Sequence, residues 1–327
     1  MPGSTQTHSA ARAAVTRINR GSPEGVAALS RRRLLGAALG SALGTAALTT
    51  LAPGAAAAPG PRSPIRHIPL QGGAVNVRDI GGHRAAGGRV RYGAVYRADA
   101  LSKVTDADVT TLAGLRLRQV VDFRIPLEIR YDGADRLPAG VTGTARPVSD
   151  NGLYAQLLGA IAAKDPVKQE EMLGGGRAAA FMRSVYPMFV SDAANRAQFG
   201  ATLHDIAYGG RGALLYHCTS GKDRTGWTTY VLLRTLGVDR RTAVADYLAS
   251  NTFRAAYDAK VREALAQAGQ MQNPDLLIPI QEVRVEYLAA ALDQVRHDYG
   301  SLERYVREGL GVDRRTLALL RAGLIER

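Results

Sequence analysis

In the stretch HCTSGKDRTG, residues 217 to 226, a cysteine is followed six positions later by an arginine, and that cysteine is the only one in a chain of 327 residues. The run before it, GALLYHC at 212 to 218, reads as a buried strand. The run after it, RTGWTTYVLLRTLG, reads as a helix starting near Arg224 or Thr225. A loop between a strand end and a helix N-terminus can aim successive backbone N–H groups at one point, where the helix dipole adds partial positive charge. Such a point favours an anion. The same field lowers the pKa of a thiol at the head of the loop, giving Cys218 thiolate character at neutral pH. Arg224 lies at the separation needed for the loop to curl round a tetrahedral phosphate, with sulfur below phosphorus and the guanidinium fork on two equatorial oxygens. Cysteine and arginine at this spacing are a weak pattern alone. His217 before them, Gly221 between them, Thr225-Gly226 after them, and the strand and helix on either side make it a strong one.

Other chemistries fit these residues poorly. A nucleotide-binding loop needs a Ser or Thr after Gly221-Lys222 and a glycine where Tyr216 stands. Zinc hydrolysis needs ligand pairs, and the six histidines are scattered. Neither a metal nor any other cofactor is expected. Lys and Arg number 42 against 29 Asp and Glu, and the basic excess suits acidic ligands in general without choosing among them. No basic run is long enough to track a nucleic-acid backbone and aromatic residues are few, so nucleic acid is not an expected partner.

The elements around the loop follow from pattern. An apolar fraction of 46% suits a globular body with a real core. Strand-like runs at RVRYGAVYR (89 to 97), LRQVVDF (117 to 123) and GALLYHC alternate with helical patterns, which predicts an α/β fold with a mainly parallel central sheet flanked by helices. TDADVTTLAGL reads as a helix capped by Thr105, with Val109, Leu112 and Leu115 on one side. LGVDRRT occurs at 236 to 242 and again at 310 to 316, and reads as one connector used twice: glycine ends a helix, valine covers the corner and aspartate caps the next helix. From 151 to 207 the pattern is mostly helical, broken by three glycines at 174 to 176. This segment is expected either as a helical lid over the loop or as packing helices with a flexible corner.

With these residues in view, HCTSGKDRTG resembles the signature loop of the bacterial secreted tyrosine-phosphatase-like group, cysteine-dependent phosphatases whose loop reads HCxxGKDRTG. NVRDIGG at 76 to 82, GAVYRADAL at 93 to 101, VVDFR at 120 to 124, DYLASN at 246 to 251 and YGSLERYV at 299 to 306 are similar to further segments of that group, with Ala98 for its usual Ser and Val77 for its usual Phe. The resemblance implies a cysteine-phosphatase-like fold and hydrolysis of phosphomonoesters through a phosphocysteine. By this resemblance Cys218 is the nucleophile, Arg224 clamps the phosphoryl oxygens, and Thr225 stabilises the thiolate and assists its departure. Thr219, Ser220, Gly221, Lys222 and Asp223 complete the phosphate loop, and His217 orders it. The sole tryptophan, Trp227, follows the loop, so no Trp-Pro-Asp acid is present. Asp223, a carboxyl beside the phosphate, is the first candidate for the general acid, and Asp122, at the end of a neighbouring strand, is the second. Expected substrates are phosphotyrosine proteins or a dual-specificity set first and phosphoinositides or inositol phosphates second. A phosphate-binding module without activity is the remaining alternative.

The first 58 residues follow another logic. They carry Arg12, Arg17, Arg20, Arg31, Arg32 and Arg33 against one acid, Glu24. SRRRLLGAALGSALGTAALTTLAPGAAAA, beginning at Ser30, resembles a twin-arginine export signal, with Ala55 and Ala57 placed for cleavage after Ala57. Residues 1 to 57 are thus expected as signal peptide, 58 to 70 as a Pro-rich linker and 71 to 327 as the phosphatase domain. Leu34 to Leu51 carries no charge, but its Gly and Ala content makes it a poor anchor, so a secreted protein without stable membrane insertion after cleavage is expected. A lone cysteine outside the cytoplasm has no disulfide partner within its own chain and is open to oxidation.

Overall fold

The computed structural model describes residues 65–327; the expected export signal, its cleavage after Ala57 and the first part of the linker lie outside them. In chain order the strands are β1 (Arg66–His67), β2 (Arg78–Asp79), β3 (Arg84–Ala85), β4 (Gly88–Val90), β5 (Val95–Ala98), β6 (Leu117–Asp122), β7 (Thr142–Ala145), β8 (Ala213–His217) and β9 (Ile325–Glu326). The helices are α1 (Asp106–Gly114), α2 (Pro126–Asp132), α3 (Leu153–Ala163), α4 (Pro166–Leu173), α5 (Arg177–Ser191), α6 (Ala193–Tyr208), α7 (Arg224–Thr235), α8 (Arg240–Gln267), α9 (Ile278–Gln281), α10 (Val285–Tyr299), α11 (Leu302–Arg304) and α12 (Arg314–Leu324).

Six strands form the central sheet in the order β1-β2-β5-β8-β6-β7. β5, β8, β6 and β7 run parallel, whereas β1 and β2 add an antiparallel edge. β8 is central and every one of its residues is buried. Its alternating side chains serve two cores, as the period of a strand requires. Leu214 and Tyr216 enter the larger core with Phe123, Phe199 and Val231, and Ala213 and Leu215 enter the smaller one with Val120, Tyr96 and Leu112. All four parallel strands end at one edge, so the loops after Ala98, Asp122, Ala145 and His217 meet there.

The local capping signals act as their residue types dictate. Thr105 Oγ1 accepts from Asp108 N at 3.2 Å while Asp108 Oδ2 accepts from Thr105 N at 2.8 Å, a reciprocal cap that starts α1. Both copies of LGVDRRT are helix-to-helix connectors in which Asp239 caps α8 through Thr242 N and Asp313 caps α12 through Thr316 N.

Two expectations need correction, and a choice left open for 151 to 207 is narrowed toward packing helices. The linker does not extend to residue 70: Arg66 and His67 pair with β2, and Ile68 N donates to Val77 O at 2.9 Å. Pro69 follows the two-residue edge strand, a place where it costs no ladder bond. The run RVRYGAVYR is two strands in two sheets, because Arg91 N donates to Leu324 O, drawing β4 toward β9, while Val95 onward pairs with β8. The segment 151 to 207 is not one lid. Met182, Val185, Tyr186 and Phe189 of α5 and Phe199 and Leu203 of α6 lie in the main core. α3 and α4 contribute less to it, through Ala160 and Leu173, and Gly175 and Gly176, with φ of 56° and 80°, turn the chain from α4 into α5.

Candidate active site

Cys218 sits where the central strand ends, and the six residues to Arg224 close a loop onto the first turn of α7. Gly221 makes this loop possible. Its φ is +62°, and a Cβ there would lie 2.3 Å from Ala98 O, so only a residue without a side chain fits between β5 and the cradle. The loop carbonyls are tied backwards in sequence order: His217 O accepts from Phe123 N at 2.9 Å, Cys218 O from His217 Nδ1 at 3.2 Å and Thr219 O from Ala100 N at 3.1 Å. In a trans peptide the following N–H points opposite its carbonyl, so these bonds turn the Cys218, Thr219 and Ser220 N–H groups away from the scaffold.

The thiol has the electrostatics that the loop promised. Burial alone would push the Cys218 thiol up, but the Arg224 guanidinium and the hydroxyl and backbone N–H of Thr225 more than offset it, so its pKa is lowered. Arg224 is held by Glu128 of α2 in a two-pronged pair, with Nη1 donating to Oε2 at 2.7 Å and Nη2 to Oε1. Its Nη1 also donates to Phe123 O at 3.1 Å. Glu128 accepts the Thr219 hydroxyl and the Ile125 N–H besides, and although burial pushes this carboxyl up, Arg224 holds it below the usual range.

His217 is fully buried behind the loop. Its Nε2 lies 2.8 Å from Asp135 Oδ2. Burial pushes the imidazole down, but Asp135, and Asp122 with its oxygen at 3.8 Å from Nδ1, push it up to about 9, so both ring nitrogens carry protons at neutral pH. The second proton is the one that Cys218 O accepts. Asp122, Asp135 and His217 offer ligand atoms within 4.8 Å of one another, but Arg124 already supplies positive charge there, donating to Asp122 Oδ2 and Asp135 Oδ1 at 2.9 Å each. These residues form an ion-paired support behind the loop.

The two carboxyls considered for the acid differ in placement. Asp122 accepts the Arg124 backbone N–H and three contacts from its guanidinium, at 2.9 to 3.0 Å. Both its oxygens are committed to the Arg124 pair behind the loop. Asp223 lies at the loop itself, where Oδ1 accepts from Tyr186 OH at 2.8 Å and Oδ2 from Lys222 Nζ at 2.7 Å. Tyr186 OH is in turn 2.7 Å from Tyr247 OH, a buried hydroxyl pair that fixes the carboxyl's inner edge. Lys222 is therefore a buried ammonium engaged with its neighbour, and its Nζ also reaches Glu282 O at 3.5 Å.

The structure thus brings together every loop residue from His217 to Thr225, and places Asp122 behind them, paired with Arg124 and 3.8 Å from His217 Nδ1. Sequence pattern gave no sign of Glu128, Asp135 or Tyr186. A cavity of about 190 Å³ opens beside Thr219 and Ser220, bordered by Ser102, Lys103, Leu157 of α3 and Arg254 of α8.

Residues 68–326 match the model of the tyrosine phosphatase family. The chain is 36% identical over 241 residues to a Cupriavidus necator protein named "Putative tyrosine-protein phosphatase H16_A0669", spanning 73% of this chain and 82% of that one. It is 29% identical over 286 residues to a Mycobacterium tuberculosis protein named triple specificity protein phosphatase PtpB, spanning 80% of this chain and 99% of the relative.

Proposed function

This chain belongs to the tyrosine phosphatase family, and we propose that it hydrolyses phosphotyrosine in proteins, alone or within a dual-specificity range, through a phosphocysteine on Cys218. The observation that carries the mechanism is the placement of Cys218 at the end of the central strand, with the Gly221 turn and the loop carbonyls tied to the scaffold and Arg224 at the start of α7, an arrangement suited to an anion cradle in which the guanidinium lowers the thiol. In the first step the Cys218 sulfur attacks phosphorus, the S–P bond forms and the bond to the leaving oxygen breaks, while Arg224 and the loop N–H groups of residues 219 to 222 take up charge on the equatorial oxygens. Asp223 gives the leaving oxygen its proton once Lys222 turns from Oδ2 toward the bound phosphate. In the second step water attacks phosphorus, Asp223 recovers a proton from it and the S–P bond breaks. Thr225 receives the returning thiolate through its hydroxyl.

Phosphoinositides are the second substrate class. The relative named a triple specificity phosphatase supports a broad range. Phosphate release from a phosphotyrosine peptide, a phosphoserine peptide and phosphoinositide micelles ranks these classes, and phosphotyrosine is expected to lead. Cys218→Ser is expected to abolish turnover and keep orthovanadate or phosphate binding; turnover in that variant would overturn the mechanism. Export rests on the twin-arginine pattern at Ser30 to Leu35. An N-terminus beginning at Ala58 in culture medium, lost when Arg31 and Arg32 become lysine, is the result that supports it. Cytoplasmic retention of the unmodified chain would refute it.

A further inference from the structure

The loop carbonyls beyond Thr219 are held by side chains from three sequence segments that the reaction itself does not use. Ser220 O accepts from Asn76 Nδ2 and from Arg254 Nη1, both at 3.3 Å. Gly221 O accepts from Asn76 Nδ2 at 2.9 Å and from Arg97 Nη2 at 2.8 Å. These donors are locked in their turn. Arg97 Nη1 is 2.8 Å from Asp246 Oδ1, and Arg97 Nη2 reaches Ser250 Oγ at 3.2 Å. Arg78 donates to Asn76 Oδ1, orienting the amide so that its NH2 faces the loop, and its other nitrogen reaches Asp246 O at 3.0 Å. Asp99 accepts from Val75 N and Asn76 N at 3.0 Å each and from Arg254 Nη1 at 3.1 Å. Asn76, Arg78, Arg97 and Asp246 are completely buried.

We propose that Asn76, Arg97 and Arg254 are positioning residues that set the phosphate affinity of the loop by fixing the Ser220 and Gly221 carbonyls outward. The argument is the geometry of the trans peptide. A carbonyl fixed outward at Ser220 fixes the Gly221 N–H inward, and one at Gly221 does the same for Lys222 N–H. Five successive carbonyls, from His217 to Gly221, are tied in this way, three by the scaffold already described and two by this network. Gly221 has the freest backbone in the loop, so its two flanking peptides would rotate first if left untied. Two buried anions, Asp99 and Asp246, keep the arginines from being drawn into the cradle by a bound phosphate. Donors aimed before the substrate arrives need no reorganisation during the reaction, which is where such a network acts.

The proposal rests on the phosphatase reading, and its test separates the two. In Arg97→Lys a single ammonium keeps the charge beside Asp246 and loses the fork that also reaches Gly221 O. In Arg254→Gln one of the two donors to Ser220 O is lost at the edge of the cavity, leaving Asn76 Nδ2 as the other. For each, the inhibition constant of orthovanadate and the acid limb of kcat/KM on nitrophenyl phosphate are measured alongside urea unfolding. Expected is a rise of about tenfold in the vanadate constant and an acid limb displaced to higher pH, because misdirected amides hold both the oxyanion and the thiolate less well. Removing a whole oxyanion donor costs about 100-fold or more, and misaiming one costs less. Unchanged vanadate affinity and acid limb in folded protein, whatever the urea midpoint, would overturn the proposal. If Arg97→Lys does not fold, Arg254→Gln decides by the same readings. An unmodified protein insensitive to vanadate would instead sink the phosphatase reading.

Discussion

Asp135→Asn tests the charged histidine behind the loop. In the folded protein His217 is lifted from 6.5 to about 9 against the opposing effect of its burial, chiefly by Asp135 at 2.8 Å. A group whose pKa is raised on folding binds its proton more tightly in the native state. Its contribution to stability is complete below the unfolded value of 6.5 and fades as pH rises through about 9. A lift of this size corresponds to about 3 kcal/mol. Asparagine removes the nearer charge and its hydrogen bond, leaving burial opposed only by Asp122 at 3.8 Å, so the variant lacks most of this contribution. Asp135 also accepts from Arg124 Nη2 at 2.9 Å and Leu101 N at 3.0 Å, and losing those bonds adds an offset that does not vary over this range. Urea unfolding from pH 6 to 10 is the assay. The stability gap between wild type and Asp135→Asn is expected to narrow by about 3 kcal/mol between pH 6 and pH 10, with most of the change between 6.5 and 9.5. A gap that stays constant over the whole range would refute the reasoning, since it would mean that His217 does not change charge there.

Glu128→Gln leaves Arg224 with half of its buried partner, and is expected to cost about 3 kcal/mol in urea unfolding together with a loss of activity on nitrophenyl phosphate; a cost below about 1 kcal/mol would contradict the buried pair. Gly221→Ala places a methyl group 2.3 Å from Ala98 O at positive φ, so both turnover and vanadate inhibition are expected to disappear, and retention of either would show that the loop is not fixed against β5. Asp223→Asn is expected to slow hydrolysis of a phosphotyrosine peptide by about 100-fold or more while affecting nitrophenyl phosphate much less, since a good leaving group departs without a proton. Asp122→Asn should lower both by a similar factor through the loosened Arg124, and a leaving-group dependence in Asp122→Asn alone would transfer the acid role.

The chemistry of this protein is legible in ten consecutive residues because a phosphate cradle is local: nucleophile, glycine, arginine and helix start are joined by the chain itself, so spacing alone predicts their convergence. The same holds for the Thr105 cap, the two LGVDRRT connectors and the alternation of β8, each set by neighbours a few residues apart. Tertiary structure decided what stands behind the cradle. Arg224 meets Glu128 across 96 residues, Asp223 meets Tyr186 across 37, and Gly221 O meets Asn76 across 145. Hydrophobic periodicity tells which side of a helix or strand is buried, and it is silent on which buried charge faces which. Asp122 shows the difference most clearly: its place at a strand end was readable and put it near the site, but only the folded chain turns Arg124 back onto both of its oxygens and makes it a support for His217. The lid expectation divided for the same reason. Helical pattern was present throughout 151 to 207, and packing assigned α5 and α6 to the core because their large side chains found the far side of the sheet's main core, where Phe123 and Tyr216 already lay.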